Sequence, residues 1–176
     1  MPERETIEKV KEKQGIFSKI QNFFTLGYGT KEDLRELDRK LRDIYYVDLR
    51  DIRHVWEDLY LAAMDAGVAK SRDYKQVIQV LDRVTEKIRH ADYGYAGLWD
   101  RKGHVRENEL ALVFNFDHTF SSDLDSLNDA VSKAMSEVEA ENWETVSSEV
   151  KNVKSLLLAF EDKWTEREKQ FRPLDM

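Results

Sequence analysis

TKEDLRELDRKLRDIYYVDLRDIRHVWEDLYLAAMDAG, residues Thr30 to Gly67, runs for thirty-six internal positions without a glycine or proline. Its apolar residues Leu34, Leu37, Leu41, Tyr45, Leu49, Ile52, Trp56, Leu59, Ala63 and Ala66 recur in steps of three and four. That spacing is the period of one stripe on an α-helix, not the alternation of a strand. At 1.5 Å per residue the helix is about 54 Å long. A helix with one apolar face cannot stand alone in water and requires partner helices along its length. Thr30 is placed to cap its N-terminus, with Glu32 and Asp33 in the first turn where acidic groups suit the helix dipole. Gly67 is placed to end it in a left-handed conformation. The steps 37-41-45-49 are all fours, a stutter that unwinds a left-handed supercoil locally.

The remaining sequence supplies the partners. Pro2 and Pro173 stand at the extremities, and all seven glycines precede residue 104. Used as breaks, they predict long helices over about 31–66, 72–92, 105–140 and 142–171, preceded by an amphipathic helix near 3–24. Gly15 sits inside that first helix and predicts a bend or boundary there. Ser71 is the candidate cap of the 72–92 helix, whose stripe is Tyr74, Val77, Leu81, Val84, Ile88 and Ala91. The 105–140 stripe is Leu110, Val113, Asp117, Phe120, Leu124, Leu127, Val131, Ala134 and Val138, with a possible fresh start at Ser121-Ser122-Asp123. Its run 110–116 also fits a strand, but no second strand-like run exists to pair with it. Asn142 caps the last helix, and a turn at Glu141 makes the final two an antiparallel hairpin. The expectation is an all-α, antiparallel up-down bundle in one domain over 1–176, with 1–29 as an N-terminal amphipathic appendage.

Composition bounds the function. Twenty-eight basic and thirty-five acidic residues leave a net charge of −7, which argues against the whole molecule binding nucleic acid. With no cysteine, disulfides, thiol catalysis and Cys-ligated zinc or iron–sulfur centres are excluded. No apolar run reaches the ~20 residues of a membrane span, and the charged N-terminus does not resemble a signal peptide. The expected location is the cytoplasm. No Gly-x-Ser-x-Gly, phosphate loop or dinucleotide fingerprint is present, which lowers the expectation of an enzyme. No cofactor and no small-molecule substrate are expected.

Four features are candidates for function. Ile16, Phe17, Ile20, Phe23 and Phe24 share one face of the first helix, with Ser18, Lys19, Gln21 and Asn22 on the other. Gly15-Ile16-Phe17-Ser18-Lys19 resembles the N-terminal membrane-touching helix of the phage-shock/ESCRT-III family, in which such a helix precedes long helical hairpins. The likeness covers about ten residues, and residues 2–14 precede it here, whereas that family tends to begin with it. It implies a membrane-facing segment. The alternative is that the face packs against the bundle or a second copy, since interfacial helices carry more Lys and Arg on the polar side.

The second feature is the basic segment 70–106, where Arg83, Lys87, Arg89, Arg101 and Lys102 accompany Tyr93, Tyr95 and Trp99. Cations with aromatic rings suit phosphate contact and base stacking; the same residues also describe a solvated face and a loop capping the bundle end. Third, Asp117 falls in a core position beside His118, and a buried carboxylate must be paired, hydrated, neutralised or functional. A bundle-core metal site would need Glu-x-x-His pairs. The nearest approximations, Asp51 with His54 and Glu86 with His90, place their histidines off the apolar stripes, so no metal site is expected. Asp117 then reads as a residue fixing register or sitting at a kink. Fourth, Glu137, Glu139, Glu141, Glu144 and Glu149, with Asp123, Asp125 and Asp129 upstream, make an acidic tip that could dock a basic partner or simply solvate a helix end.

The reading that follows is a non-enzymatic helical interaction or scaffold protein, with residues 15–26 facing a protein partner or a membrane surface. Homodimerisation is the default for lateral association of long helices. The alternative is nucleic-acid or phosphate binding through 70–106 and the aromatic loop.

Overall fold

The computed structural model describes residues 2–26, 31–91 and 107–171, and all regular structure among them is helical. The helices are α1 (Pro2–Leu26), α2 (Lys31–Asp65), α3 (Asp73–Arg89), α4 (Glu107–Glu139) and α5 (Trp143–Phe171). They form the all-α helical bundle that the three-four periodicity demands, with boundaries within three residues of those expected. Two expected interruptions do not occur. α1 runs unbroken through Gly15, so no boundary forms there, and α4 is not split at Ser121–Asp123. Residues 110–116 are helical as well.

Local signals place the ends. Gly67 has φ 72°, its N–H donates to the Met64 carbonyl at 2.9 Å, and the Val68 N–H donates to the Ala63 carbonyl at 3.0 Å. This pair of bonds is a Schellman closure, which satisfies the last carbonyls of α2. α4 ends in the same way, but the left-handed residue is Glu141, with φ 56°. Its N–H reaches the Val138 carbonyl at 3.0 Å, and the Asn142 N–H reaches that of Glu137 at 2.9 Å. Ser71 acts two residues ahead of α3, its hydroxyl accepting from the Asp73 N–H at 3.2 Å.

The chain gathers into two compact units, one of residues 1–44, 91–119 and 165–176, the other of 45–90 and 120–164. The second unit is built on four apolar seams: Tyr45 to Ala63 on α2, Tyr74 to Ile88 on α3, Phe120 to Val138 on α4, and Val146 to Trp164 on α5. Phe120 stands between three rings, with centroids 3.8 Å from Phe160, 5.1 Å from Trp164 and 5.0 Å from Tyr45. Burying each large apolar side chain of this kind contributes about 1.5–3 kcal/mol. Trp56 is fully buried, and its indole N–H donates to the Tyr74 carbonyl at 3.0 Å.

Ion pairs report the neighbours in this unit. Arg53 on α2 meets Asp82 on α3 at 2.5 Å, and Arg83 on α3 meets Glu161 on α5 at 2.6 Å. Lys154 on α5 meets Asp73 on α3 at 2.9 Å, and Lys133 on α4 meets Glu149 on α5 at 2.7 Å. With Tyr45 of α2 against Phe120 of α4, the order around the unit is α2, α3, α5, α4. α3 and α5 pair side by side in the same direction, since 73 faces 154 and 83 faces 161. α3 therefore abuts α5, a helix that does not follow it directly in the chain.

In the first unit the buried apolar side chains among those described are Ile16, Phe17, Ile20 and Leu41. Lys13, Asp38, Asp117 and Arg167 are buried with them. The buried line of α2 thus passes through Asp38, Leu41, Tyr45, Leu49 and Ile52, while Leu37 is only half-buried. The steps become three, four, four, three, so the stutter is confined to 41-45-49, a local eleven-residue period.

Candidate functional site

The most distinctive chemistry lies in the first unit, where three helices bring four charged side chains into the core. Arg167 near the end of α5 donates from Nε to Asp117 Oδ1 at 2.5 Å and from Nη2 to Asp117 Oδ2 at 3.3 Å. The same Nη2 reaches Asp38 Oδ1 on α2 at 3.1 Å. Asp38 Oδ2 in turn stands 3.3 Å from Nε of Arg42 one turn along, and Arg42 Nη1 donates to the Ala91 carbonyl at 2.6 Å. The Arg167, Asp117 and Asp38 side chains are at most 2% exposed, and that of Arg42 is 12%. The planar guanidinium fork suits two carboxylates at once, and Lys13 of α1 is a further buried cation in the same unit.

Asp117 is therefore paired, which answers the question its core position raised. The spacing puts both partners on inward stripes without pairing them. Continuing the α5 stripe from Trp164 towards Phe171 by steps of three and four passes through Arg167, and continuing the α2 stripe back from Leu41 passes through Asp38. Neither pattern says that the two meet, because they lie 129 residues apart in the chain.

The α1 face is also placed. Ile16, Phe17 and Ile20 are buried, and the Phe17 ring lies 5.6 Å from that of His118 on α4. The side chains of Phe23 and Phe24 lie outside the described residues. Towards the N-terminus of the same helix, Ile7 is 53% and Val10 39% exposed. The docked side chains serve the fold, so Ile16, Phe17 and Ile20 can meet a partner or a bilayer only when α1 leaves this position.

In the basic segment, Arg83 and Lys87 both hold Glu161, at 2.6 and 2.9 Å. The Arg83 guanidinium beside Glu161 holds its carboxyl well below the usual carboxylate range, at about 2; burial opposes this shift and Lys87 assists it. Arg89 lies 3.9 Å from Glu86, with its guanidinium 5.9 Å from the Tyr46 ring centroid. A phosphate at Arg83 and Lys87 would have to displace Glu161. Tyr93, Tyr95, Trp99, Arg101 and Lys102 lie outside the described residues.

Of the acidic tip, Glu149 pairs with Lys133, and Glu137 accepts from the Asn142 side-chain amide at 3.0 Å. Asp123 pairs with Lys163. His54 and His90 point to solvent, beside Glu57 and Glu86 respectively. Among the described residues, no helix is long and apolar enough to cross a membrane. Comparison with protein-family models, with curated proteins and with solved structures finds no match to this chain.

Proposed function

We propose that this chain is a non-enzymatic helical interaction protein and that α1 is its partner-binding helix. The observation that carries the reading is the uneven use of α1. Its described buried side chains are confined to Lys13, Ile16, Phe17 and Ile20, while Ile7 and Val10 stand exposed on the same helix. A helix that buries Lys13, Ile16, Phe17 and Ile20 and leaves Ile7 and Val10 exposed towards its N-terminus can take a second helix there. The exposed charges around them are mixed, Arg4 and Lys11 with Glu8 and Glu12. That mixture suits a protein partner better than an anionic bilayer, which selects for a basic polar face. Self-association through a two-fold axis is the simplest form of such binding.

The test is sedimentation velocity of the full chain from micromolar to hundreds of micromolar, beside the variant Ile7→Asp/Val10→Asp. A concentration-dependent dimer in the parent and a monomer in the variant, at equal helical circular dichroism, is the expected result. A parent that stays monomeric throughout, or a variant that dimerises equally, overturns self-association through α1. Flotation of the parent but not the variant with anionic vesicles would replace the protein partner with a membrane surface.

A further inference from the structure

We propose that α1 meets the last turns of α2 on a second copy of this chain, with Arg4 and Lys11 against that copy's Asp65 and Asp58. The contact rests on the reading of α1 as the partner-binding helix and names what that helix binds. Among the described residues six large apolar side chains stand exposed, and five of them fall on two stretches. Ile7 and Val10 lie on α1, whereas Leu61, Met64 and Val68, at 57, 52 and 37% exposure, lie at the end of α2 and just beyond it. Apolar side chains grouped on one face, unlike scattered ones, point to a contact surface.

The two stretches carry one pattern with opposite charge. Arg4-x-x-Ile7-x-x-Val10-Lys11 on α1 matches Asp58-x-x-Leu61-x-x-Met64-Asp65 on α2 position for position. All four charged side chains are exposed. At about 100° per residue, both charges of each stretch fall within about 60° of its first apolar residue, on the flank away from the second. Glu8 and Glu12 of α1 turn about 100° or more away from Ile7. Two helices laid antiparallel bring like flanks together, so Arg4 faces Asp65 and Lys11 faces Asp58, the two pairs about 10 Å apart, and the apolar side chains interleave beside them. The helix dipoles agree with this direction. α2 ends on Asp65 with no basic residue in its last turn, so a negative helix end carries a further negative charge. Arg4 stands in the first turn of α1, where a cation is equally out of place. Side by side, each relieves the other. A second copy is the occupant this match selects, because one chain carries both halves, and a two-fold axis forms the contact twice.

The experiment follows self-association of the full chain by sedimentation velocity, with two charge-reversed variants measured alone and mixed. These are Arg4→Glu/Lys11→Glu and Asp58→Lys/Asp65→Lys, each checked for the parent's helical circular dichroism. Each alone is expected to associate at least about tenfold more weakly than the parent. Their equimolar mixture is expected to regain the parent's association, because the two reversed helices then match each other and the two unreversed ones do likewise. A charge variant that associates as the parent does, or a mixture no stronger than its parts, overturns the contact. Leu61→Asp/Met64→Asp separates that failure from failure of the underlying reading. If this variant associates like the parent while Ile7→Asp/Val10→Asp does not, α1 keeps its role but binds another surface, such as α1 of the second copy, and the contact with α2 falls. A parent that is monomeric at every concentration removes both.

Discussion

Acid should weaken this protein partly through one carboxylate, and Glu161→Gln isolates its share. In the folded chain Glu161 ionises near 2, against an ordinary value of 4.5, because Arg83 and Lys87 bond to its charged form. A group whose pKa falls on folding contributes stability above the unfolded value and loses it as pH drops through the folded one. The window for Glu161 therefore runs from about pH 5 down to about pH 2. At 1.36 kcal/mol per pH unit the difference corresponds to about 3 kcal/mol. Arg83 is half exposed and Lys87 a third, so water and salt screen the pair, and about 1–2 kcal/mol is the expected effect. Glu161→Gln keeps the shape and removes the charge. Urea unfolding followed by circular dichroism at pH 7 should show the variant less stable by that amount. At pH 3 the gap should shrink to less than half, since the parent has by then lost most of its advantage. A gap that is absent at pH 7, or unchanged between pH 7 and pH 3, would refute the assignment of this stability to the Glu161 charge.

Two further outcomes follow from the same structure. Glu141 carries φ 56° where a side chain meets its own backbone, so Glu141→Gly should raise stability by about 1 kcal/mol, read as a higher urea midpoint at unchanged slope. A lower midpoint would show that the Glu141 side chain contributes more than the strain removes. Trp56→Phe deletes a fully buried indole and its N–H bond to Tyr74, and should cost about 2–4 kcal/mol in the same assay. A loss under about 0.5 kcal/mol would mean that the core around α3 closes over the gap.

The seams, the helix boundaries and the turns were legible because they are local. Leu41, Tyr45, Leu49 and Ile52 predict a helix and its buried side from spacing alone, and they are buried. Gly67 predicts a left-handed helix end because a residue without a Cβ reaches that conformation cheaply, and it adopts it. The choice between Leu37 and Asp38 went the other way. Hydropathy favours Leu37, whereas helical phase with Leu41 and Tyr45 favours Asp38, and phase prevailed once Arg167 neutralised the carboxylate. Gly15 was over-read as a boundary, since one glycine weakens a helix by about 1 kcal/mol and does not end it when the neighbours keep the pattern.

The amino acids in order were enough to settle that the described chain is helical, where its helices start and stop to within three residues, and which stripe of each faces inward over most of its length. Those properties depend on residues three or four apart, which any helix brings together. They were not enough to settle which helix lies beside which, or what neutralises Asp117. α3 abuts α5, Glu161 collects Arg83 and Lys87, and Arg167 reaches Asp38 across 129 residues. Each of these pairings joins groups that no periodicity relates, and only the packing of the folded chain brings them within bonding distance.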